Sequence, residues 1–537
     1  SFISDFNNFN LRNGGQHGWS DRIQDGVISR LVKGSNTDRM AYQPCILYLN
    51  GDYWGLYGLR EKIDEHYVES NHGINSNNID LLNKDGALAG SSDHFNATYQ
   101  MIQNMSYNDT NFLSLFESRF DIDNYIDYFI IQTYIQNMDW LGIAWGLNNV
   151  KLWRPDTNDG KWRYVLYDTD ASFGFFGQNI YDNYLSYARN PAVSNDHSQI
   201  FNKVLLNPEF KCRFANRYDD LINTTFQPEN FTAVTNEIKD EIASAIQDHV
   251  NRWASLGGLG SFNQWSNAIN TIIQYNASRI STARTHLGQS LALGNEKNVL
   301  LHVVPENSGS IKINTISPDN YPWQGKYHGN CPMDIIATAD SGYIFSHWDD
   351  NAITASNPIE SELLNVEINS SLGFVANFIT CEESIDVSLI ETNNQLIGEI
   401  TGGDDDVQYS WFANDHLISN DSIIYNPNNG VYQLKIKKGN CEIESDYLII
   451  EDDDYEINIY PNPAQNEFEL VFVSTLKQDI TITFYNTLGQ TVKSETLEQF
   501  VGQYKNKYDV SELAKEVYFM KVTLMNKTHT RKIILVK

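Results

Sequence analysis

The sequence is short of positive charge: 38 Lys and Arg stand against 68 Asp and Glu, for a formal net charge of −30. Such a balance keeps a chain soluble and argues against non-specific binding to nucleic acid or an anionic membrane. No apolar run is long enough to cross a bilayer as a helix. Residues 1–10 carry neither a basic start nor an apolar stretch, so no signal peptide is read there. Without an initiating Met, the chain is expected to begin inside a domain. Cysteine is sparse, at five, and none of Cys45, Cys212, Cys331, Cys381 and Cys441 has a C-x-x-C or other metal spacing. Cys45 and Cys212 are expected to be buried unpaired thiols. Cys381 and Cys441 bracket one strand-rich stretch and are placed to close a disulfide within it, which suits an oxidising setting outside the cytoplasm. A repeat of fixed period is also missing, which excludes a solenoid.

What is present is size and aromatic content. The chain has 537 residues, 41% hydrophobic, with 30 Tyr and 11 Trp. That is too much for one core and predicts roughly three or four domains. The first 290 or so residues mix helical and strand patterns. Ser20–Lys33 spaces Ile23, Val27, Ile28 and Leu31 as a helix capped by Ser20. Asn50-Gly51 between Ile46 and Leu59 predicts a hairpin. A helix is predicted over Tyr125–Asn137, strands over Gly146–Trp153 and Trp162–Tyr167, and long helices over Phe201–Thr224 and Asn230–Arg252. After Gly294 only strand patterns follow. The acidic runs Asp404–Asp406 and Glu451–Asp454 read as solvated loop and linker, because a calcium loop needs spread ligands and a turn glycine.

Chemistry concentrates in QNMDWLGIAWGLNNVKLWRPDTNDGKWRYVLYDTDASFG, residues 136–174. Asp139 follows a helix, Asn149 opens a strand, and Asp168 and Asp170 close the next strand. A carboxylate near an acceptor hydroxyl, with oxygen ligands for a cation on nucleotide phosphates, is what phosphoryl transfer needs. The order Asp139, Asn149, Asp168 repeats the kinase arrangement, with a longer Asp-to-Asn gap. Spacing alone reads equally as turn formers and caps at strand ends.

Leu49–Asp64 (LNGDYWGLYGLREKID), Gln136–Asp139, Asn149, Asp168–Gly174, Leu11–Gly15 (LRNGG) and His249–Trp253 (HVNRW) together resemble the CotH kinase family over residues 1–290. The resemblance implies a multidomain chain: an α+β atypical protein-kinase-like domain, its N-lobe truncated, followed by three small all-β modules. It implies ATP and Mg2+ or Mn2+ as cofactors, and Ser or Thr of a secreted or surface protein as acceptor. Asp139 would be the catalytic-loop Asp, either polarising the acceptor or lying close to the metal. Asn149 would be a supporting metal or phosphate ligand, Asp168 the principal metal ligand, and Asp170 a second ligand or an orienter of the first. Arg60 and Glu61 would sit where a kinase has its hinge, in contact with nucleotide or as a structural ion pair. The phosphate-holding cation is expected upstream of LRNGG; Arg12 could contribute charge there, with packing and turn geometry around Gly14-Gly15 as its main role. A second class stays open, a non-catalytic surface adhesion or binding protein using the same fold. Glycan processing is set aside for want of a defined carboxylate pair on facing elements.

Residues 295–379 resemble a divergent bacterial, internalin-type β-grasp-like repeat, with Tyr343, Phe345, His347 and Trp348 read as structural. Residues 380–451, with Trp411 between two cysteines, resemble an Ig-like or PKD-like sandwich that acts as a spacer. Residues 455–537 resemble the type IX secretion sorting domain, in Pro461-Asn462-Pro463, the Leu488-Gly489-Gln490 hairpin and the basic last strand. Glu516 stands there where a Gly is usual, which predicts some strain in that turn. Export to the outer-membrane surface or medium, through the type IX machinery, follows from the resemblance.

Overall fold

In the computed structural model of the chain, which describes residues 7–157, 159–349, 361–402, 407–428, 430–439, 441–450, 457–524 and 527–536, Asn50 and Gly51 take φ of 52° and 89°. That geometry suits a tight hairpin turn, and it joins strands Tyr42–Leu49 and Asp52–Glu61. Strand Phe9–Arg12 adds to the other side of Asp52–Glu61, with Leu11 opposite Leu59. A second, five-stranded sheet runs in the order Asp38–Arg39, Arg163–Leu166, Lys151–Pro155, Ile79–Asn83, Gly86–Ala89. The acidic runs Asp404–Asp406 and Glu451–Asp454 lie outside the described residues.

The chain divides into two units: Ser1–His302 with Ile311–Ala337 and Trp348–Val375, and Val303–Ser310 with Thr338–His347 and Ala376–Lys537. In the first, helix Ile122–Tyr134 is the central element. All its residues except Asp123 are buried, and Asp121 caps it by accepting from the Asn124 N–H. Around it pack Tyr164, Phe201, Phe210 and Trp140, each almost fully buried. Each such side chain contributes about 2–3 kcal/mol of burial. Helix Pro228–Trp253 clamps the hairpin: His249 Nδ1 accepts from Leu56 N–H at 3.0 Å, and Trp253 Nε1 donates to Trp54 O at 2.6 Å. Gly55 is required there, because a Cβ would lie 2.6 Å from His249 Nδ1 and φ is +123°.

Several local expectations need correction. The first helix is Gln24–Leu31, and Asp21 holds its start by accepting from the N–H groups of Ile23 and Gln24, so Ser20 is not the cap. The strand expected from Gly146 begins only at Lys151. The helix expected over Phe201–Thr224 is two, Asp196–Val204 and Pro208–Asn223, because Asn207 caps a new helix whose first turn starts with Pro208. Cys212 is not a free thiol; it is bonded to Cys331. On the same helix as Cys212, buried Asp219 binds both Arg284, at 3.0 Å, and His328, at 2.9 Å. Cys45 is free, as expected, but only partly buried.

Among its described residues, the regular structure of the second unit is strand apart from the four-residue helix Cys381–Ser384. Cys381 and Cys441 are disulfide-bonded, and Trp411 is fully buried among Leu396, Leu434 and Ile436. The last sheet pairs the long strands Glu467–Asn486 and Thr491–Asp509, with Val517–Leu524 and Lys527–Ile534 alongside. Val517–Leu524 alternates buried and less buried residues, the period of a strand with one covered face. Glu516 is not among the residues with positive φ, so the strain expected from its replacing Gly is absent.

Candidate functional site

The first unit carries every site residue read from the sequence. The chain leaves helix Ile122–Tyr134 through Gln136, at φ 56°, and the loop that follows holds Leu141 and Asn149 at 59° and 50°. Asp168 and Phe173 take 51° and 46°. Left-handed backbone at non-glycine residues costs about 1–3 kcal/mol each and persists only where surroundings enforce it, commonly at functional sites. Here the enforcement is visible. Met138 N–H donates to Ala171 O at 3.0 Å and Phe173 N–H to Ile135 O at 3.0 Å, so the Asp139 loop and the Asp168–Gly174 loop are stitched together.

Asp139 is held by neutral amides. Asn148 Nδ2 donates to both carboxylate oxygens at 2.9 Å, and Asn149 Nδ2 donates to Oδ2 at 3.0 Å and to the Asp139 carbonyl at 2.9 Å. Asn149 is therefore turned onto Asp139.

Asp168 and Asp170 meet a cation instead. Arg12 Nη2 pairs with Asp168 Oδ1 and with Asp170 Oδ2, the latter at 2.7 Å, and Asp170 Oδ2 also accepts from Gln16 N–H at 3.2 Å. Burial pushes the Asp168 carboxyl up, and Asp170 and Asp25 push it further; Arg12 opposes them, leaving it at about 6. Burial disfavours the Arg12 charge, but Asp25, Asp168 and Asp170 outweigh it and hold the guanidinium more firmly protonated than usual. Gly15 makes room for the pair: at φ +56°, a Cβ would sit 2.4 Å from Asp170 Oδ2 and 2.7 Å from Arg12.

Residues 12–25 wrap the Asp168–Gly174 loop. His17 Nε2 meets Asp170 O at 2.7 Å while its Nδ1 pairs with Asp21, and its ring stacks on Phe175 with centroids 3.6 Å apart. Burial works against a charged His17, but Asp21 and the Asp170 carbonyl raise its pKa. Gln24 Nε2 donates to Ser172 O and Oγ at 3.0 Å. Asp25 accepts from Thr169 N–H at 3.1 Å and Oγ1 at 2.8 Å, and pairs with Arg60. Burial would raise the Asp25 carboxyl, but Arg60, Arg12 and the Thr169 bonds hold it down at about 2.

Arg60 is 3% exposed and also donates to Ala41 O and Met40 O at 2.9 and 3.0 Å. Glu61 accepts from Ala41 N–H at 3.0 Å and from Asn71 Nδ2 at 2.9 Å. The two are thus engaged with the protein, although Arg60 lines a cleft of about 980 Å³ together with Arg12, Lys62, Asp64, Lys151 and Tyr167. The structure brings Asp139, Asn149, Asp168 and Asp170 into adjoining loops and gives Glu61 a separate place on the hairpin. Sequence reasoning granted Arg12 charge without naming it a site residue, and it did not single out Asp25, which holds Thr169, or Lys151, which lines the cleft. The signal for Arg12 was the LRNGG motif itself, whose glycines open the space its guanidinium uses.

A divalent cation fits this donor set. Two carboxylate oxygens already converge on one positively charged nitrogen, and carboxylate oxygen is the ligand type that Mg2+ and Mn2+ take. Among the described residues no three His, Cys, Asp or Glu side chains form a ready-made metal cluster. The remaining positions would fall to water and phosphate, as is usual for Mg2+.

A family model described as CotH kinase protein matches residues 3–282, and one described as secretion system C-terminal sorting domain matches residues 458–537. No curated protein matches the chain. Among solved structures, dimeric latent PorU from Porphyromonas gingivalis is similar at 12% identity and TM-score 0.15, over 45% of this chain and 29% of PorU. The chain therefore spans less than a third of that structure. The I9–I11 tandem of titin is similar at 11% identity and TM-score 0.16, over 45% of this chain and 97% of the tandem. Likenesses at such scores carry no argument. No helix among the described residues is long and apolar enough to cross a membrane. With the first family model covering residues 3–282 of 537, Arg12 and the Asp139 and Asp168 loops included, the chain belongs to the CotH kinase protein family and ends in a sorting domain that directs it through type IX secretion to the cell surface or beyond.

Proposed function

We propose that the chain is an exported CotH-like kinase that moves the γ-phosphate of ATP to Ser or Thr hydroxyls of secreted or surface proteins. The observation that carries this reading is the convergence of Asp168 and Asp170 on Arg12, in a loop stitched to that of Asp139. Asp139 orients the acceptor hydroxyl and takes its proton as the hydroxyl oxygen attacks the γ-phosphorus. The bond from that phosphorus to the β–γ bridging oxygen breaks, and ADP leaves with the electron pair. Asn148 and Asn149 fix the Asp139 carboxylate without neutralising it, so it stays available to the proton. Arg12 holds phosphate oxygens, the role expected of a kinase's N-lobe cation. Mg2+ or Mn2+, held by Asp168 and Asp170, would supply charge neutralisation on the phosphate chain; Asn149, with its amide nitrogen on Asp139, could offer only its oxygen. Residues 380–451 serve as a spacer module in the chain between the kinase-like domain, 1–290, with its β-grasp-like companion, 295–379, and the sorting domain, 455–537.

The test is incubation of the full chain with γ-labelled ATP, Mg2+ or Mn2+, and an outer-surface protein fraction. Label should reach Ser or Thr with wild type and not with Asp168→Ala. Equal labelling by the two, or none by wild type with either metal, would refute the kinase reading.

A further inference from the structure

We propose that Lys151 is a second phosphate-binding residue of the cleft, distinct from Arg12, that grips the nucleotide's phosphate chain from the strand following Asn149. The inference rests on the kinase reading above and deepens it. Lys151 opens strand Lys151–Pro155, is half-buried, and lines the 980 Å³ cleft. Its ammonium donates to Ile63 O at 3.1 Å and lies 5.0 Å from the centroid of the Tyr167 ring, the residue before Asp168. Both partners are neutral.

The other cations on the cleft differ. Arg12 pairs with Asp168 and Asp170, Arg60 with Asp25, and Lys62 with Asp64 at 3.3 Å. Among the described residues, no carboxylate lies within ion-pair distance of Lys151. Asp64, across the same cleft, is taken up by Asn8 Nδ2 at 2.9 Å, by Lys62, and by the His66 and Tyr67 N–H groups that it caps. Asp64 favours the Lys151 charge from a distance, but burial outweighs it; a partly desolvated ammonium with no carboxylate in ion-pair contact is costly unless a ligand supplies the negative charge. An ammonium has three donors, and one is used on Ile63; the rest remain for oxygens of an anion in the cleft. The aromatic face and the carbonyl hold the ammonium beside Tyr167, the residue before Asp168, on the cleft that Arg12 also lines. A polyphosphate is the ligand this charge pattern suits, since its oxygens can meet Arg12 and Lys151 together.

The experiment is calorimetric titration of the full chain, with Mn2+ present, by ATP, ADP and adenosine, for wild type, Lys151→Met and Lys151→Arg. ATP and ADP binding should weaken roughly tenfold or more in Lys151→Met, as expected for losing a charge-assisted hydrogen bond. Adenosine should bind both proteins alike, and Lys151→Arg should restore most of the ADP affinity. Unchanged ADP binding by Lys151→Met, or an equal loss for adenosine and ADP, would overturn the assignment while leaving the kinase reading standing. A wild type that binds neither ATP nor ADP would overturn both.

Discussion

The two carboxylate corners of the site are built from different materials. Asp139 is surrounded by the carboxamides of Asn148 and Asn149, which orient it and leave its charge intact. Asp168 and Asp170 share one guanidinium, which neutralises charge as well as positioning it. Neutral donors favour a group that must accept a proton, whereas a cationic partner marks a place where another cation can be received. The contrast supports the proposed roles: proton acceptor on one side, cation and phosphate binding on the other. It also explains why Arg12 lies so far from its partners in sequence, 156 residues from Asp168. The counter-charge comes from a different strand, Phe9–Arg12, and under the proposed function it would change partners on nucleotide binding.

Several substitutions would break or sharpen this contrast. The largest effect is expected from Asp168→Ala, which removes the cation corner and should lower the rate of label transfer about a thousandfold or more, as for loss of a principal electrostatic group. Asp139→Asn keeps the shape of the other corner and removes its basicity; a fall in kcat of about a hundredfold or more, with KM for ATP little changed, is expected. If the two variants instead raise KM for ATP alike, the corners do not have separate roles. Arg12→Met should raise KM for ATP about tenfold or more, and it should weaken inhibition by ADP in parallel.

A smaller effect concerns the scaffold beneath the cation corner. Tyr164 lies on the strand that leads to Asp168, and its hydroxyl hydrogen-bonds His197 Nδ1 at 2.9 Å. Burial lowers His197 from the usual 6.5 to about 4, so it is neutral in the folded chain and protonated on unfolding in mild acid. Stability from this group is full above pH 6.5 and lost as pH falls from about 6.5 through about 4, a loss of about 3 kcal/mol. Thermal melts across that window should show the decline, and His197→Gln should flatten it. A decline of the same size in His197→Gln would remove His197 as its source.

Where local chemistry decides the structure, the sequence was readable. The hairpin at Asn50-Gly51, the helix after Asp121 and the strand leading to Asp168 all stand close to where residue pattern puts them. The break before Pro208 was also readable, since Asn followed by Pro is a helix start, but the apolar spacing running through it obscured the signal. Partners chosen by the fold were not. Nothing local says that Arg12 meets Asp168, or that Cys212 pairs with Cys331 at a separation of 119 residues. Asp139 and Asp168 were singled out by their kinase-like order along the chain and by the family resemblance, since spacing alone reads equally as turn formers. Lys151 was missed because a lysine at the start of a strand looks like any solvated residue until the cleft around it is known.

The central claim is that Asp168 and Asp170 receive a divalent cation with the nucleotide in exchange for Arg12. The most direct measurement is Mn2+ binding by the full chain, followed by electron paramagnetic resonance with and without ATP, in wild type and in the Asp168→Asn, Asp170→Asn double variant. ATP should increase Mn2+ bound to wild type, and the double variant should lose that increment. Equal Mn2+ binding by both proteins in the presence of ATP would contradict the claim.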